Sequence, residues 1–119
     1  MLVDTSIWVE HLRHRQAGLV SLLHRPEVQC HPFVIGELAC GSLMRRSEIL
    51  QLLRRLPSLQ VVEDEEAMTF VERHRLMGRG VGWVDVHLLA SAAVENALLW
   101  TSDRRLAAIA RSLGLYGEP

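Results

Sequence analysis

The sequence predicts an α/β fold, a mainly parallel sheet covered by helices on both faces. Two observations lead there. Short apolar segments alternate along the chain with longer stretches whose apolar residues recur at helical spacing. Acidic residues stand at or just beyond the ends of these segments, where the sites of such sheets lie. At 119 residues, with no repeat and no linker, the chain reads as a single domain over 1–119, against about 150 residues for a typical domain.

The elements follow in order. Met1 to Val3 is a first strand ending at Asp4, and Thr5 and Ser6 are suited to cap a helix over Ile7 to Arg15. Leu19, Leu22 and Leu23 mark a second helix between Gln16 and Arg25, stopped by Pro26. Val28 to His31 is the next strand candidate, and Pro32 opens a helix containing Glu37 and Leu38, broken near Gly41 and resumed from Ser47 until Pro57. Leu59 to Val62 is a third strand. The helix after it starts near Asp64, with Ala67, Phe70, Val71, His74 and Met77 on its buried stripe, and is broken by Gly78, Gly80 and Gly82. A helix from Val84 to Asn96 turns Val86, Leu89, Ala90 and Ala93 inward. Leu98 to Thr101 is a fourth strand, a last helix begins near Asp103, and Leu115 to Pro119 offers a short edge strand.

Composition narrows the function. The chain is 49% apolar with 4 Pro, the balance of a packed globular protein. Val86 to Trp100 is interrupted by His87, Ser91, Glu95 and Asn96, short of the roughly 20 apolar residues of a membrane span. Met1 to Arg15 is too charged for a secretion signal, so a cytoplasmic protein without membrane contact is expected. All 13 basic residues are Arg. The absence of lysine removes Walker, Schiff-base, kinase and phosphoryl-receiver chemistry. A net charge of −1 leaves nucleic-acid binding to the placement of the arginines. Cys30 and Cys40 match no zinc spacing and read as small apolar side chains.

Four acids occupy equivalent places. Asp4 closes the first strand, Glu37 lies in the helix after the second, Asp85 opens the helix after the glycines, and Asp103 closes the fourth strand. Each alone is explained as a helix cap. Together they are expected to point toward one crevice, and if they converge within about 6 Å each pair repels by roughly 3 kcal/mol at an effective dielectric near 20. Such a cluster holds protons or a cation. Oxygen ligands suit Mg²⁺ or Mn²⁺, and such an ion beside a phosphodiester stabilises its charge and lowers the pKa of an attacking water. Asp4, Asp85 and Asp103 are the metal-ligand candidates and Glu37 orients water. Zinc on His11 and His14 beside Glu10 is the lesser alternative, because no HExxH is formed.

The segments Val3-Asp4-Thr5-Ser6-Ile7-Trp8, Gly36-Glu37-Leu38-Ala39-Cys40-Gly41, Gly82-Trp83-Val84-Asp85-Val86-His87 and Trp100-Thr101-Ser102-Asp103-Arg104-Arg105 resemble, in order, the four acidic motifs of the PIN-domain family. Within it the short chain with an ELxxG second motif is similar to the VapC-type toxins of toxin–antitoxin pairs. The resemblance implies a three-layer α/β/α domain with a short, mainly parallel sheet of four to five strands. It also implies Mg²⁺- or Mn²⁺-dependent endoribonuclease activity, a homodimer and a VapB-like antitoxin. Its catalytic acids fall on Asp4, Glu37, Asp85 and Asp103, with the hydroxyls of Thr5, Ser6 and Thr101 as helpers. Where some relatives carry a further acid after the fourth motif, this chain has Arg104 and Arg105.

Other residues suit RNA. Trp83 offers a base-stacking platform, while Trp8 and Trp100 read as core. Arg79, Arg104 and Arg105 are candidate phosphate contacts around a glycine turn that is not a dinucleotide fingerprint. Leu12, Leu19, Leu43 and Met44 outline an apolar seam for a partner helix. A nuclease of RNA processing, and a catalytically inactive module whose acids bind arginines of a partner, are the competing readings.

Overall fold

The computed structural model describes residues 1–119, and the element order is β1 (Leu2–Val3), α1 (Thr5–His14), α2 (Ala17–His24), α3 (Pro32–Cys40), α4 (Arg46–Arg54), α5 (Asp64–His74), α6 (Trp83–Val94), β2 (Leu99–Trp100) and α7 (Arg104–Ser112). The alternation of short apolar segments with helices is the expected α/β pattern. β1 and β2 pair in parallel, Leu2 opposite Leu99 and Val3 opposite Trp100. All four side chains are buried.

The expected strand count differs. Only β1 and β2 are regular strands, and the other segments join them through single parallel bridges, Leu2 to Gln29, Cys30 to Ser58 and Leu99 to Tyr116. The reason is local. Pro32 starts α3 directly after His31, so the second segment has room for few ladder bonds, Gln29 N to Met1 O at 2.8 Å and Cys30 N to Pro57 O at 2.8 Å among them. Leu59 to Val62, expected as a strand, keeps one such bond, Leu59 N to Cys30 O at 2.9 Å.

Helix starts are fixed by side chains. Gln16 accepts from Gly18 N at 2.8 Å at the start of α2. His31 Nδ1 accepts from Phe33 N at 3.0 Å ahead of Pro32, which suits the first helical turn. Asp64, Glu65 and Glu66 stand in the first turn of α5, where acids complement the helix dipole. α1 begins two residues earlier than expected, with Asp4 rather than Thr5 or Ser6 at its cap.

α6 runs through the middle of the core. Val86 to Ala92 are all buried, so it is surrounded rather than one-sided, and Ala93 is the half-exposed member of its expected inward set. α5 packs against α6, and α3 against α1 and α4. In α5 only Ala67 is fully buried, and Met77 lies beyond the helix and is exposed. Leu19 sits in the core, which removes it from the expected seam, while Leu12 and Met44 face solvent. No helix is long and apolar enough to cross a membrane.

Candidate active site

Asp4 leaves β1 with extended backbone and occupies the cap position of α1, yet its carboxylate caps nothing. Its Oδ2 instead accepts from Ser6 Oγ at 2.7 Å and from Thr101 Oγ1 at 2.7 Å. The same hydroxyl oxygens accept from the loop beyond β2, Ser6 Oγ from Ser102 N at 3.1 Å and Thr101 Oγ1 from Asp103 N at 3.1 Å. Both hydroxyl protons are thereby committed to Asp4, whose Oδ1 receives no hydrogen bond from the protein. Bonds to a carboxylate are among the stronger ones, and these hold a side chain that is only 6% exposed.

The remaining acids arrive from three helices. Glu37, exposed on α3, accepts from Thr5 Oγ1 at 2.6 Å. Asp103 accepts at Oδ1 from Leu106 N at 3.0 Å and caps α7. Asp85, half-buried in the first turn of α6, accepts at Oδ2 from Gly82 N at 3.1 Å. Burial raises the Asp85 pKa above the usual carboxylate value, the Gly82 N–H pulls it back, and the charges of Asp4, Asp103 and Glu37 raise it further. The four sequence-selected acids therefore share one electrostatic environment. Asp85 and Asp103 fulfil the capping role as well, while Asp4 does not.

No three His, Cys, Asp or Glu side chains stand close enough to enclose an ion directly. Mg²⁺ needs no such cluster, since it binds through one or two carboxylates and keeps several waters, and Mn²⁺ accepts the same oxygen donors. The unbonded Asp4 Oδ1 and the mutual repulsion felt at Asp85 are what such a cation relieves. His11 takes no part, since its Nδ1 accepts from Gln16 N at 3.1 Å and its ring stands edge-on to Trp8. A zinc centre there is not supported.

Around the acids the cations stay free. The arginine–carboxylate ion pair of the protein is Arg25 with Glu27, so Arg79, Arg104 and Arg105 are exposed and unpaired. Arg105 lies across Gly80, where an added Cβ would meet its Cδ and Nη1 at 2.5 Å. Trp83 is 42% exposed, whereas Trp8 and Trp100, at 5% and 6%, are core.

Two buried histidines had no role in the sequence reading. His31 Nε2 lies 3.0 Å from Ser91 Oγ, which donates to Gln60 O at 2.7 Å. Because His31 Nδ1 accepts from Phe33 N, its proton sits on Nε2, and His31 donates to Ser91, which donates to the Gln60 carbonyl. Burial, with His87 nearby and against the pull of Glu95, lowers the His31 pKa to about 4. His87 is fully buried and neither ring nitrogen has a hydrogen-bond partner. Asp64 Oδ1 is 3.3 Å from Nε2 but outside hydrogen-bond geometry. Leaving such groups unpaired costs about 1–3 kcal/mol. The only signal for His87 in the sequence is a histidine two residues after Asp85, inside an otherwise apolar helix.

Comparison with known proteins agrees with this geometry. The PIN-domain family profile matches residues 1–112. Two curated sequences named Ribonuclease VapC32, from strains CDC 1551 and H37Rv of Mycobacterium tuberculosis, are each 50% identical over 116 residues, covering 97% of this chain and 94% of theirs.

Proposed function

The chain belongs to the PIN-domain family, and from that premise we propose that it is an endoribonuclease acting as the toxin of a toxin–antitoxin pair. The observation that carries the reading is the convergence of Asp4, Glu37, Asp85 and Asp103, from four separate elements, on the electrostatics of Asp85. In this reading the chain is a single domain over 1–119. The two strands and the three segments bridged to them would correspond to a four- to five-stranded sheet between helical layers.

The proposed roles follow from the bonds. Asp4, Asp85 and Asp103 would hold the divalent cation, Mg²⁺ or Mn²⁺, one or two of them directly and the rest through its bound waters, with Asp4 fixed by the Ser6 and Thr101 hydroxyls. When bound, the ion supplies charge stabilisation at the scissile phosphate and a water of lowered pKa. Glu37, steadied by Thr5, orients that water and accepts a proton. Arg79, Arg104 and Arg105, free of intramolecular acids, bind the flanking phosphates of RNA, and Trp83 contacts the substrate from the rim.

The partners are an RNA, a second copy of the chain and a VapB-like antitoxin, all within the cytoplasm. A groove of about 590 Å³ leads from Thr5 and Glu37 along Val9, Leu12, Leu43 and Met44. Its apolar floor suits a partner helix.

The test is cleavage of a mixed single-stranded and structured RNA pool with Mg²⁺ or Mn²⁺, with EDTA, and by an Asp4→Asn, Asp85→Asn double variant. Metal-dependent cutting that the folded double variant lacks supports the reading. No cutting by folded, antitoxin-free protein in either metal replaces it with an acidic module that docks a partner's arginines.

A further inference from the structure

Trp83 opens α6 two residues before Asp85 and is the one tryptophan with an exposed ring. It does not stand alone. Its ring is edge-on to His87 at 85° with centroids 4.8 Å apart, His87 is tilted against Phe33 at 4.8 Å, and Phe33 is edge-on to His31 at 5.2 Å. A column of four rings thus runs from solvent at Trp83 to the fully buried His31. The column is built on the two helices that also carry acids of the site: Trp83 opens α6, which carries Asp85, and Phe33 lies one helical turn before Glu37 on the same side of α3.

The unpartnered ring of His87 gains nothing from polar contacts, so its place in the structure is that of a flat spacer between Phe33 and Trp83. Tilted and edge-on ring pairs are geometrically specific, and a ring held this way has little freedom left to lose when a ligand lies on it. A large, partly exposed aromatic ring, held by its neighbours on the helix that carries Asp85, has a natural occupant in an unpaired base, whose flat faces stack on aromatic side chains.

Resting on the ribonuclease reading above, we propose that Trp83 is the platform for one unpaired base of the RNA next to the cleaved phosphodiester, and that His87 and Phe33 are positioning residues that fix its ring. The site then selects single-stranded RNA, because a base inside a duplex cannot reach the platform. The preference among bases follows stacking strength, purines over pyrimidines.

The experiment uses the full chain and a randomised single-stranded RNA pool. Since Trp8 and Trp100 are buried, acrylamide quenching of intrinsic fluorescence reports on Trp83, and the Asp4→Asn variant binds RNA without cutting it. RNA is expected to shield the exposed fluorophore. In cleavage by the active protein, Trp83→Ala is expected to raise KM roughly 5- to 100-fold with kcat within about twofold. Trp83→Phe restores most of the affinity. His87→Ala reproduces the KM defect, and His87→Phe, which keeps the ring and discards the nitrogens, does not. Unchanged KM in a folded Trp83→Ala, with quenching indifferent to RNA, overturns the platform and leaves the ribonuclease standing. Failure of the unaltered protein to bind or cut any RNA overturns both.

Discussion

Thr101 and Asp4, separated by 97 residues, are joined by a hydrogen bond from Thr101 Oγ1 to Asp4 Oδ2 at 2.7 Å. The bond ties the end of β2 to the end of β1, which backbone pairing has already brought alongside through Asp4 N to Trp100 O at 2.9 Å. The Thr101 oxygen also accepts from Asp103 N, so one hydroxyl positions the first acid and the loop that carries the fourth.

Replacing that hydroxyl by a methyl tests the arrangement. Thr101→Val keeps the shape but leaves the Asp103 N–H without its acceptor and Asp4 with Ser6 alone. A loss of about 1–3 kcal/mol in urea unfolding is expected, with RNA cleavage reduced about tenfold. Asp4→Asn behaves differently. Its amide oxygen still accepts one hydroxyl, so the fold persists, while cleavage falls by at least about a hundredfold. A Thr101→Val protein as stable and as active as the original removes the positioning role.

Asp85 carries its charge against the fold. Its pKa is raised in the folded protein, chiefly by burial and then by Asp4, Asp103 and Glu37. Between the unfolded and the folded value the native state binds the extra proton. Stability therefore falls as pH rises through that window and stays lower above it. Asp85→Asn is expected to raise the melting temperature in EDTA at pH 7, by a few °C at most, while abolishing cleavage. Melting scans from pH 3.5 to 7 check the sign, since the gain vanishes at the acid end. A destabilised Asp85→Asn contradicts it.

The acids were legible because their positions follow from chain order. A residue at the end of a buried strand or the start of the next helix has few places to go, and Asp4, Asp85 and Asp103 went there. The width of the sheet was not legible in the same way. Val28 to His31 and Leu59 to Val62 have strand composition, but whether a segment makes one bridge or a full ladder depends on how soon its chain turns away, here at Pro32 and after Ser58. Leu19 and Leu12 look alike in sequence, and only packing separates the buried one from the exposed one. His87 was hidden for the opposite reason. Polar residues inside apolar helices are explained in many ways, and its ring neighbours Phe33 and Trp83 come from separate parts of the chain.

Gly78 and Gly80 both have positive φ, 73° and 81°, but only Gly80 lies under Arg105. Gly78→Ala therefore reports the backbone cost alone, about 1 kcal/mol. Gly80→Ala adds the displacement of Arg105 and is expected to cost more, with weaker RNA binding. Pairing Gly80→Ala with Arg105→Ala brings the cost back toward that of Gly78→Ala, and urea unfolding of the set gives the coupling. Equal costs for the two single glycine variants mean that Arg105 is not seated on the turn.

His31 predicts an acid limit to stability. In the folded protein its pKa is about 4, against the ordinary value near 6.5, because the ring is buried and His87 stands nearby, against the smaller opposing pull of Glu95. Between those values the unfolded chain binds a proton that the native state refuses. Stability is complete above pH 6.5 and is lost as pH falls toward 4, by up to about 3 kcal/mol. His31→Asn keeps an acceptor at the cap of α3 but has no proton to gain. Its urea midpoint, lower at pH 7 because a buried ring is gone, is expected to vary less between pH 6.5 and 4.5 than that of the original protein. Parallel pH profiles for the two proteins show that another group governs the acid loss.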